Sequence, residues 1–173
     1  MRSSTSRRRS RDRGAVLRAE SLPDATTSAH EIENIQSIIV RVAHDIDRRQ
    51  WSRLRALYAD EVETDYTSLF GGAPQRQSGD DLIQGWQKVL AKVSTQHLLG
   101  PIDVTLSGTA ATAECHVRAW HHATGAPGGA EWVVGGHYVF ELAKTSETWR
   151  ITTMKLETFH QSGNTKLLQE ASG

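Results

Sequence analysis

Three consecutive segments fill the second half of the chain: AATAECHVRAWHHA (110–123), EWVVGGHYVFELAK (131–144) and TWRITTMKLETF (148–159). In each, apolar residues recur at every second position over most of its length, which is the period of a β-strand with one buried face. The turns between them, TGAPGG and KTSE, are short and rich in turn-forming residues. Neighbouring strands are therefore predicted to pair antiparallel, and a further strand is expected near 95–106.

Upstream of these strands, the apolar period changes to that of helices. Apolar residues recur at steps of three and four over about 31–49, again in a short segment at 51–58, and again over 79–93. Only residues 62–66 alternate as a strand would. Because helices come first and no strand-helix-strand alternation follows, we predict an α+β fold, with N-terminal helices packed on a strongly curved, mostly antiparallel sheet.

Length and composition indicate one domain with two tails. A chain of 173 residues with 38% hydrophobic content can bury one core of ordinary size, which we assign to residues 30–162. Residues 1–29 carry seven arginines and few large apolar side chains, so they are predicted to form a disordered Arg/Ser-rich tail, although such arginines also suit a transit peptide or an anionic surface. Residues 163–173 are interpreted as a C-terminal tail.

The charge balance and the single cysteine exclude several classes of protein. Lysine plus arginine and aspartate plus glutamate both total 20, so neither a nucleic acid nor a membrane is predicted as a partner. Cys115 alone forms no internal disulfide and fits a reducing compartment. With no apolar run of transmembrane length and no secretory signal pattern, we expect a soluble, cytoplasmic protein.

The sequence favours chemistry without a metal or a cofactor. Of the eight histidines, His116 and His121 point to opposite faces of one strand, and no HxH or HExxH spacing occurs. There is no glycine-rich phosphate loop, no GxSxG elbow, and the lone cysteine lies on an apolar strand face. We therefore expect no metal, no nucleotide and no nucleophilic triad.

Three polar residues, together with one of two aspartates, are candidates for a site. His121 ends the apolar face of the 110–123 strand, where it either contacts a ligand or is a satisfied core histidine. His97 in STQHLLG needs a carboxylate, and both Asp45 and Asp47 flank the apolar stripe of the first helix; helical geometry does not choose between them. The ring of Tyr66 should point inward, with its hydroxyl seeking a partner.

The opposite face of the same strand suggests an assembly surface. Trp120 shares that face with charged side chains, where a subunit contact could cover it. We predict a homo-oligomer, a dimer or a trimer, that forms through the outer face of the sheet.

Three motifs carry a resemblance to a known family. The run DIDRRQWSRLRALYADEVETDY (45–66), followed by STQHLLG (94–100) and HVRAWHH (116–122), resembles the scytalone dehydratase family in the SnoaL-like branch of the NTF2-like superfamily. The likeness covers about residues 31–160 and implies a cone-shaped domain. Two positions depart from the family pattern: Ile46 stands where the family has a tyrosine, and Tyr138 lies near a family asparagine.

The resemblance also assigns roles to the candidate residues. It implies a hydrogen-bonded dyad of Asp47 and His97, which selects Asp47 over Asp45, a substrate-polarising Tyr66, and His121 on the opposite wall. The rest of a substrate-binding wall is predicted to come from four further residues: Tyr138, Val117, Ala119 and Trp86.

These roles predict a cofactor-independent lyase that acts on a small hydroxylated carbonyl compound. Asp47 would fix the tautomer of His97, which removes a proton beside a carbonyl; Tyr66 would donate to the enolate oxygen, and His121 would protonate the departing hydroxyl or hold the carbonyl. An isomerase, a polyketide cyclase, and a non-catalytic binding or dimerisation module are the alternatives. A hydrogen bond between Asp47 and His97 would favour an enzyme, and a gap above about 5 Å would favour a binding module.

Overall fold

The computed structural model describes residues 25–172, which form five helices and seven strands. In chain order they are α1 (Ala25–Asp47), α2 (Trp51–Arg55), β1 (Tyr58–Asp65), α3 (Thr67–Phe70), β2 (Gln75–Ser78), α4 (Gly79–Val89), β3 (Ser94–Leu99), β4 (Asp103–Ser107), β5 (Ala110–His122), β6 (Glu131–Thr145), β7 (Thr148–Gly163) and α5 (Leu167–Ser172). None of the described helices combines the length and the apolar character needed to cross a membrane.

All seven strands belong to one sheet, ordered β2-β1-β7-β6-β5-β3, with β4 also paired to β5. Every pairing is antiparallel except β1 with β7. The long β6–β7 pair changes register at Gly135/Gly136 and at Glu141/Leu142, and such bulges bend a sheet. Gly136 has no room for a side chain, because a Cβ there would lie 2.3 Å from the carbonyl oxygen of Glu157. The predicted α+β architecture, helices on a curved and mostly antiparallel sheet, is confirmed.

The core lies between the concave face of the sheet and the helices. Helix α1 buries Ile35 and Ile39 completely and contacts β3, β4 and β5, while α4 packs on β1 and α2. Trp132 and Trp149 are the largest fully buried side chains of the described residues. The long first helix and strand β3 are therefore fixed against each other by apolar packing.

Several predicted boundaries were wrong in the first half of the chain. Helix α1 ends at Asp47 rather than Arg49. Helix α4 ends at Val89 rather than at Val93, which fits the apolar pattern because it is buried in the core beyond the helix. Residue 58 starts β1 instead of closing α2. The short elements α3 and β2 were not predicted.

The single strand predicted near 95–106 is two strands. β3 and β4 pair with successive halves of β5, and the chain breaks between them at Gly100 and Pro101, since proline has no N–H to continue a ladder. The inward-facing positions change from odd numbers in β3 to even numbers in β4, so the segment is not one continuous alternation.

Both predicted tails need correction. Helix α1 begins at Ala25, so residues 25–29 are helical rather than tail, and residues 1–24 of that prediction lie outside the described residues. At the other end β7 continues to Gly163 and α5 follows, with Leu167 fully buried. The described part of this segment packs on the domain, because Leu167, Leu168 and Ala171 contact the core, and Gly173 lies outside the described residues.

Candidate active site

A cavity of about 500 Å³ opens between the concave face of the sheet and the helices. Its wall is mostly aliphatic and aromatic, and none of the described residues that line it is an aspartate, glutamate, lysine or arginine. The polar groups on the wall are few: Tyr66, Thr95, His97, His121, Tyr138 and Gln169, with the indole of Trp132 already bonded to Gln161. A small number of polar groups on an apolar wall is typical of a site for a small molecule.

Asp47 and His97 form a hydrogen-bonded dyad at this wall. Asp47 is the last residue of α1, and His97 lies in the middle of β3, so the packing of α1 on β3 brings them together. His97 Nδ1 is 2.7 Å from Asp47 Oδ1, and the His97 backbone N–H donates to Oδ2 at 2.8 Å. The Thr95 hydroxyl also donates to Oδ1, at 2.8 Å. Three donors therefore hold the carboxylate in one orientation.

The partners of Asp47 place a proton on His97 Nδ1. Burial raises the pKa of Asp47, but the hydrogen bonds and the charge of His97, together with the Thr95 bond, outweigh it and leave the pKa below its ordinary value. An ionised carboxylate only accepts hydrogen bonds, so His97 Nδ1 carries the proton of this bond, and in the neutral ring Nε2 has the free lone pair. His97 lines the cavity and Asp47 does not, so Asp47 acts behind the histidine.

His121 closes the same wall from the end of β5. Its ring is 6.2 Å from that of His97 and 4.7 Å from Trp132, between centroids. Burial, with a smaller contribution from the nearby His97, lowers the pKa of His121 to about 4, so the ring is neutral near pH 7. Its Nδ1 lies 3.3 Å from the carbonyl oxygen of Trp132, which only accepts, so the proton is on Nδ1 and Nε2 is an acceptor.

Two tyrosines supply the hydroxyl donors of the cavity. Tyr66 lies just after β1, as the N-cap of α3, and not within the strand as predicted; its hydroxyl is 3.6 Å from the sulfur of Met154. Tyr138 lies on β6, and no hydrogen bond of its hydroxyl is found among the described residues. Burial raises the pKa of both phenols, so both keep their protons. Thioether sulfur is a weak acceptor, so the Tyr66 hydroxyl can donate to a bound oxygen instead. The Tyr138 hydroxyl, which has no described hydrogen bond, can do the same.

Asp45, the competing carboxylate, lies elsewhere. It is only 2% exposed, its Oδ1 is 3.5 Å from Nε of Arg53, and its Oδ2 has no hydrogen-bond partner among the described residues. It neither lines the cavity nor contacts His97.

The remaining predicted binding residues also reach the cavity. Tyr138, Val117, Ala119 and Trp86 all line it, as does Ile46, which stands at a position where the family pattern has tyrosine. The structure thus brings all the predicted side chains to one place, while their roles in catalysis or binding stay predictions.

Sequence reasoning missed two parts of the site. Thr95 was not among the predicted site residues, because its bond to Asp47 depends on the position of α1. Leu168 and Gln169 of α5 line the cavity but lay in the supposed tail. The apolar pair at 167–168, followed by the good helix formers Gln, Glu and Ala, was the available signal. Among the described residues, no three His, Cys, Asp or Glu side chains are grouped to hold a metal.

Comparison with known proteins places this site in a family. Residues 27–155, three quarters of the chain, match the SnoaL-like domain. The chain belongs to the SnoaL-like family. Its NTF2-like cone and the resemblance seen in its motifs are thereby confirmed.

Solved structures share the fold of this SnoaL-like protein. Kfla4162 of Kribbella flavida is 26% identical, with a TM-score of 0.75 over 84% of this chain and 99% of that one. A provisionally named scytalone dehydratase of Novosphingobium aromaticivorans is 18% identical, with a TM-score of 0.71 over 82% and 92%. Hexachlorocyclohexane dehydrochlorinase LinA-type3 of Novosphingobium barchaimii is 14% identical, with a TM-score of 0.68 over 82% and 94%. None of the curated proteins compared with the chain matches it.

Proposed function

We propose that this SnoaL-like protein is a cofactor-independent lyase that eliminates water from a small, uncharged, hydroxylated carbonyl compound. The observation that carries the proposal is the 2.7 Å contact between His97 Nδ1 and Asp47 Oδ1 at the wall of an apolar cavity. A carboxylate bonded to one imidazole nitrogen fixes the tautomer and raises the basicity of the other. A binding module has no need of a base held in this way.

The first step is proton removal by His97. Its Nε2 takes the proton from the carbon next to the substrate carbonyl, and the electron pair of that C–H bond moves onto the carbonyl oxygen to form an enolate. Asp47 stabilises the imidazolium that results. The hydroxyls of Tyr66 and Tyr138 donate to the enolate oxygen, a contact that strengthens as negative charge develops there.

The second step expels the hydroxyl group from the β-carbon. The enolate collapses, its electrons form the carbon–carbon double bond, and the C–O bond breaks while the departing oxygen takes the proton from His97. Water leaves, and His97 returns to its neutral form. His121 does not supply this proton, contrary to one role considered from the sequence, because its Nε2 has none to give near pH 7. It accepts a hydrogen bond from the substrate hydroxyl and holds it near His97.

The wall of the cavity supports an uncharged substrate. No lysine or arginine is among the described lining residues, so a substrate carboxylate or phosphate would lose its hydration without gaining an ion pair with either. The volume of about 500 Å³ is in the range of sites for small organic molecules. Two of the structures with the same fold are named for elimination reactions, a dehydratase and a dehydrochlorinase, which agrees with this class of reaction.

The proposal is tested by following protons in heavy water. A panel of cyclic β-hydroxy ketones is incubated with the protein in D₂O, and proton NMR records the loss of the α-proton signal and the appearance of vinyl protons. We expect both for at least one compound, and neither with His97→Gln. Washout of the α-proton without vinyl signals would indicate an isomerase or a cyclase. Binding of the ketones with no washout would contradict the enzyme and favour a binding module.

A further inference from the structure

Arg49 occupies the end of α1 in a conformation that normally selects glycine. Its φ is +57°, in the left-handed region, where a Cβ is strained. The Arg49 N–H donates to the carbonyl of Ile46 at 3.0 Å, and the Gln50 N–H to that of Asp45 at 2.7 Å. These two bonds are the pair that ends a helix in a Schellman motif, whose left-handed position usually holds glycine. An arginine at this position needs a compensating interaction.

The side chain of Arg49 supplies that interaction. Its guanidinium donates to the carbonyl oxygen of Leu90 at 2.8 Å and to that of Val93 at 2.6 Å. Leu90 caps the C-terminus of α4, where unpaired carbonyls attract a cation, and Val93 is the residue before β3. One side chain thus joins the end of α1 to the segment that leads into β3.

The two segments that Arg49 joins are those that carry the dyad. Asp47 is two residues before Arg49, and Thr95 and His97 are two and four residues after Val93. Apolar packing fixes α1 against the sheet along its length, but Asp47 is its last residue, where helices fray. A bond across this end restricts the distance between the carboxylate and the imidazole.

We propose that Arg49 is a positioning residue that holds Asp47 and His97 in register. The inference rests on the dyad of the proposed function, but not on the identity of the substrate. Arg49 lies outside the cavity lining, so it acts through the dyad and not on the substrate. A merely structural role would stabilise the fold without any particular effect on the Nδ1–H bond of His97.

The test is the exchange of the His97 Nδ1 proton with water, measured by NMR on the full-length protein with ¹⁵N-labelled histidine. The resonance is assigned by its loss in His97→Gln. In Arg49→Gly the backbone is unstrained, so the helix end is kept, and we expect exchange to accelerate on the order of tenfold because two charge-assisted bonds are lost. Arg49→Lys, which keeps the charge and reaches only one carbonyl at a time, should fall between.

Arg48→Ala is the matched control, since Arg48 is adjacent and exposed and its side chain makes no described hydrogen bond or ion pair. It should exchange as the wild type does. Wild-type exchange in Arg49→Gly would overturn the role of Arg49 while leaving the dyad intact. Should Arg49→Gly fail to fold, wild-type exchange in Arg49→Lys would overturn it. A wild-type spectrum without the resonance would overturn the dyad, and the proposed function with it.

Discussion

The sheet carries two pairs of histidines, one on each face, and the two pairs differ in their hydrogen-bond partners. On the concave face His97 and His121 are 6.2 Å apart between ring centroids; on the convex face His116 and His137 are 5.4 Å apart. The inner rings are bonded to a carboxylate and to a backbone carbonyl. For the outer rings no side-chain hydrogen bond is found among the described residues, and both tautomers are open to them.

The difference shows that the surroundings give an imidazole its chemistry. The outer pair faces each other directly on β5 and β6, with Glu157 opposite His137 on β7, in a position where water competes for every contact. In the inner pair Nδ1 of each ring is bonded to a protein oxygen, so each Nε2 is left to face the cavity. Strand alternation in the sequence already placed His116 and His121 on opposite faces, whereas the partners of each ring are seen only in the structure.

The strongest way to break this comparison is to remove one histidine from each pair. His97→Gln should lower kcat about a hundredfold or more on the ketone found in the panel, because it removes the base. His116→Gln should leave kcat within about twofold. Steady-state kinetics and a thermal melt on both variants check this. A large loss in both would mean that the fold, and not the dyad, was damaged.

A second test concerns Asp47, the carboxylate partner that His97 has and the outer histidines lack. Asp47→Asn should cost nearly as much as His97→Gln, because an amide can present its NH₂ to Nδ1 and reverse the tautomer. The double variant should be little slower than the slower single variant, since groups that act as a unit show non-additive losses. Losses that multiply in the double variant would mean that His97 works alone.

The fold was predictable to the extent that each element buries one face over many residues. Strands β5, β6 and β7 are long enough for their alternation to be read, and α1 for its period of three and four. Four-residue α3 and six-residue α5 are too short for a period to appear. The break between β3 and β4 was missed, although the alternation shifts by one residue at Gly100, because the two strands alternate over only six and five residues.

The residues of the site could be predicted from the sequence, but the tautomers of its histidines could not. The choice between Asp45 and Asp47 came from the family resemblance; burial would have selected the wrong one, because Asp45 is 2% exposed and Asp47 has 19% of its side chain exposed. The tautomer of His121 depends on the carbonyl oxygen of Trp132, which lies on the neighbouring strand. This contact joins consecutive strands, but the alternation of the sequence does not show which ring nitrogen meets which carbonyl. The predicted oligomer through the outer face stays a prediction, and Trp120 there lies 5.0 Å from the guanidinium of Arg118.

A smaller effect is expected for the hydroxyl donor of the inner face. Tyr66→Phe should lower kcat about tenfold, the worth of one hydrogen bond to a developing charge. Tyr58→Phe is the matched control, because its hydroxyl also contacts the sulfur of Met154, at 3.5 Å, but the residue does not line the cavity. Its kcat should stay at the wild-type value. Equal losses in the two variants would indicate that disturbance of Met154, and not a lost donor, is the cause.

The smallest expected effect is a difference between His121 and His116 in how they change the pH dependence of stability. Burial holds the pKa of His121 at about 4 in the folded protein, below the ordinary value of 6.5, so the unfolded chain binds this proton first. The contribution of His121 to the free energy of unfolding is therefore fully present above pH 6.5 and is lost as the pH falls toward 4. At pH 5.5 the loss from this residue is about 1 kcal/mol. Urea titrations at pH 8 and pH 5.5 should show this part of the loss disappear in His121→Gln, whose side chain does not titrate. In the exposed control His116→Gln the loss should match that of the wild type. A wild-type loss retained in His121→Gln would mean that His121 is already protonated in the folded protein near pH 5.5, and the inner face would then be no drier than the outer one.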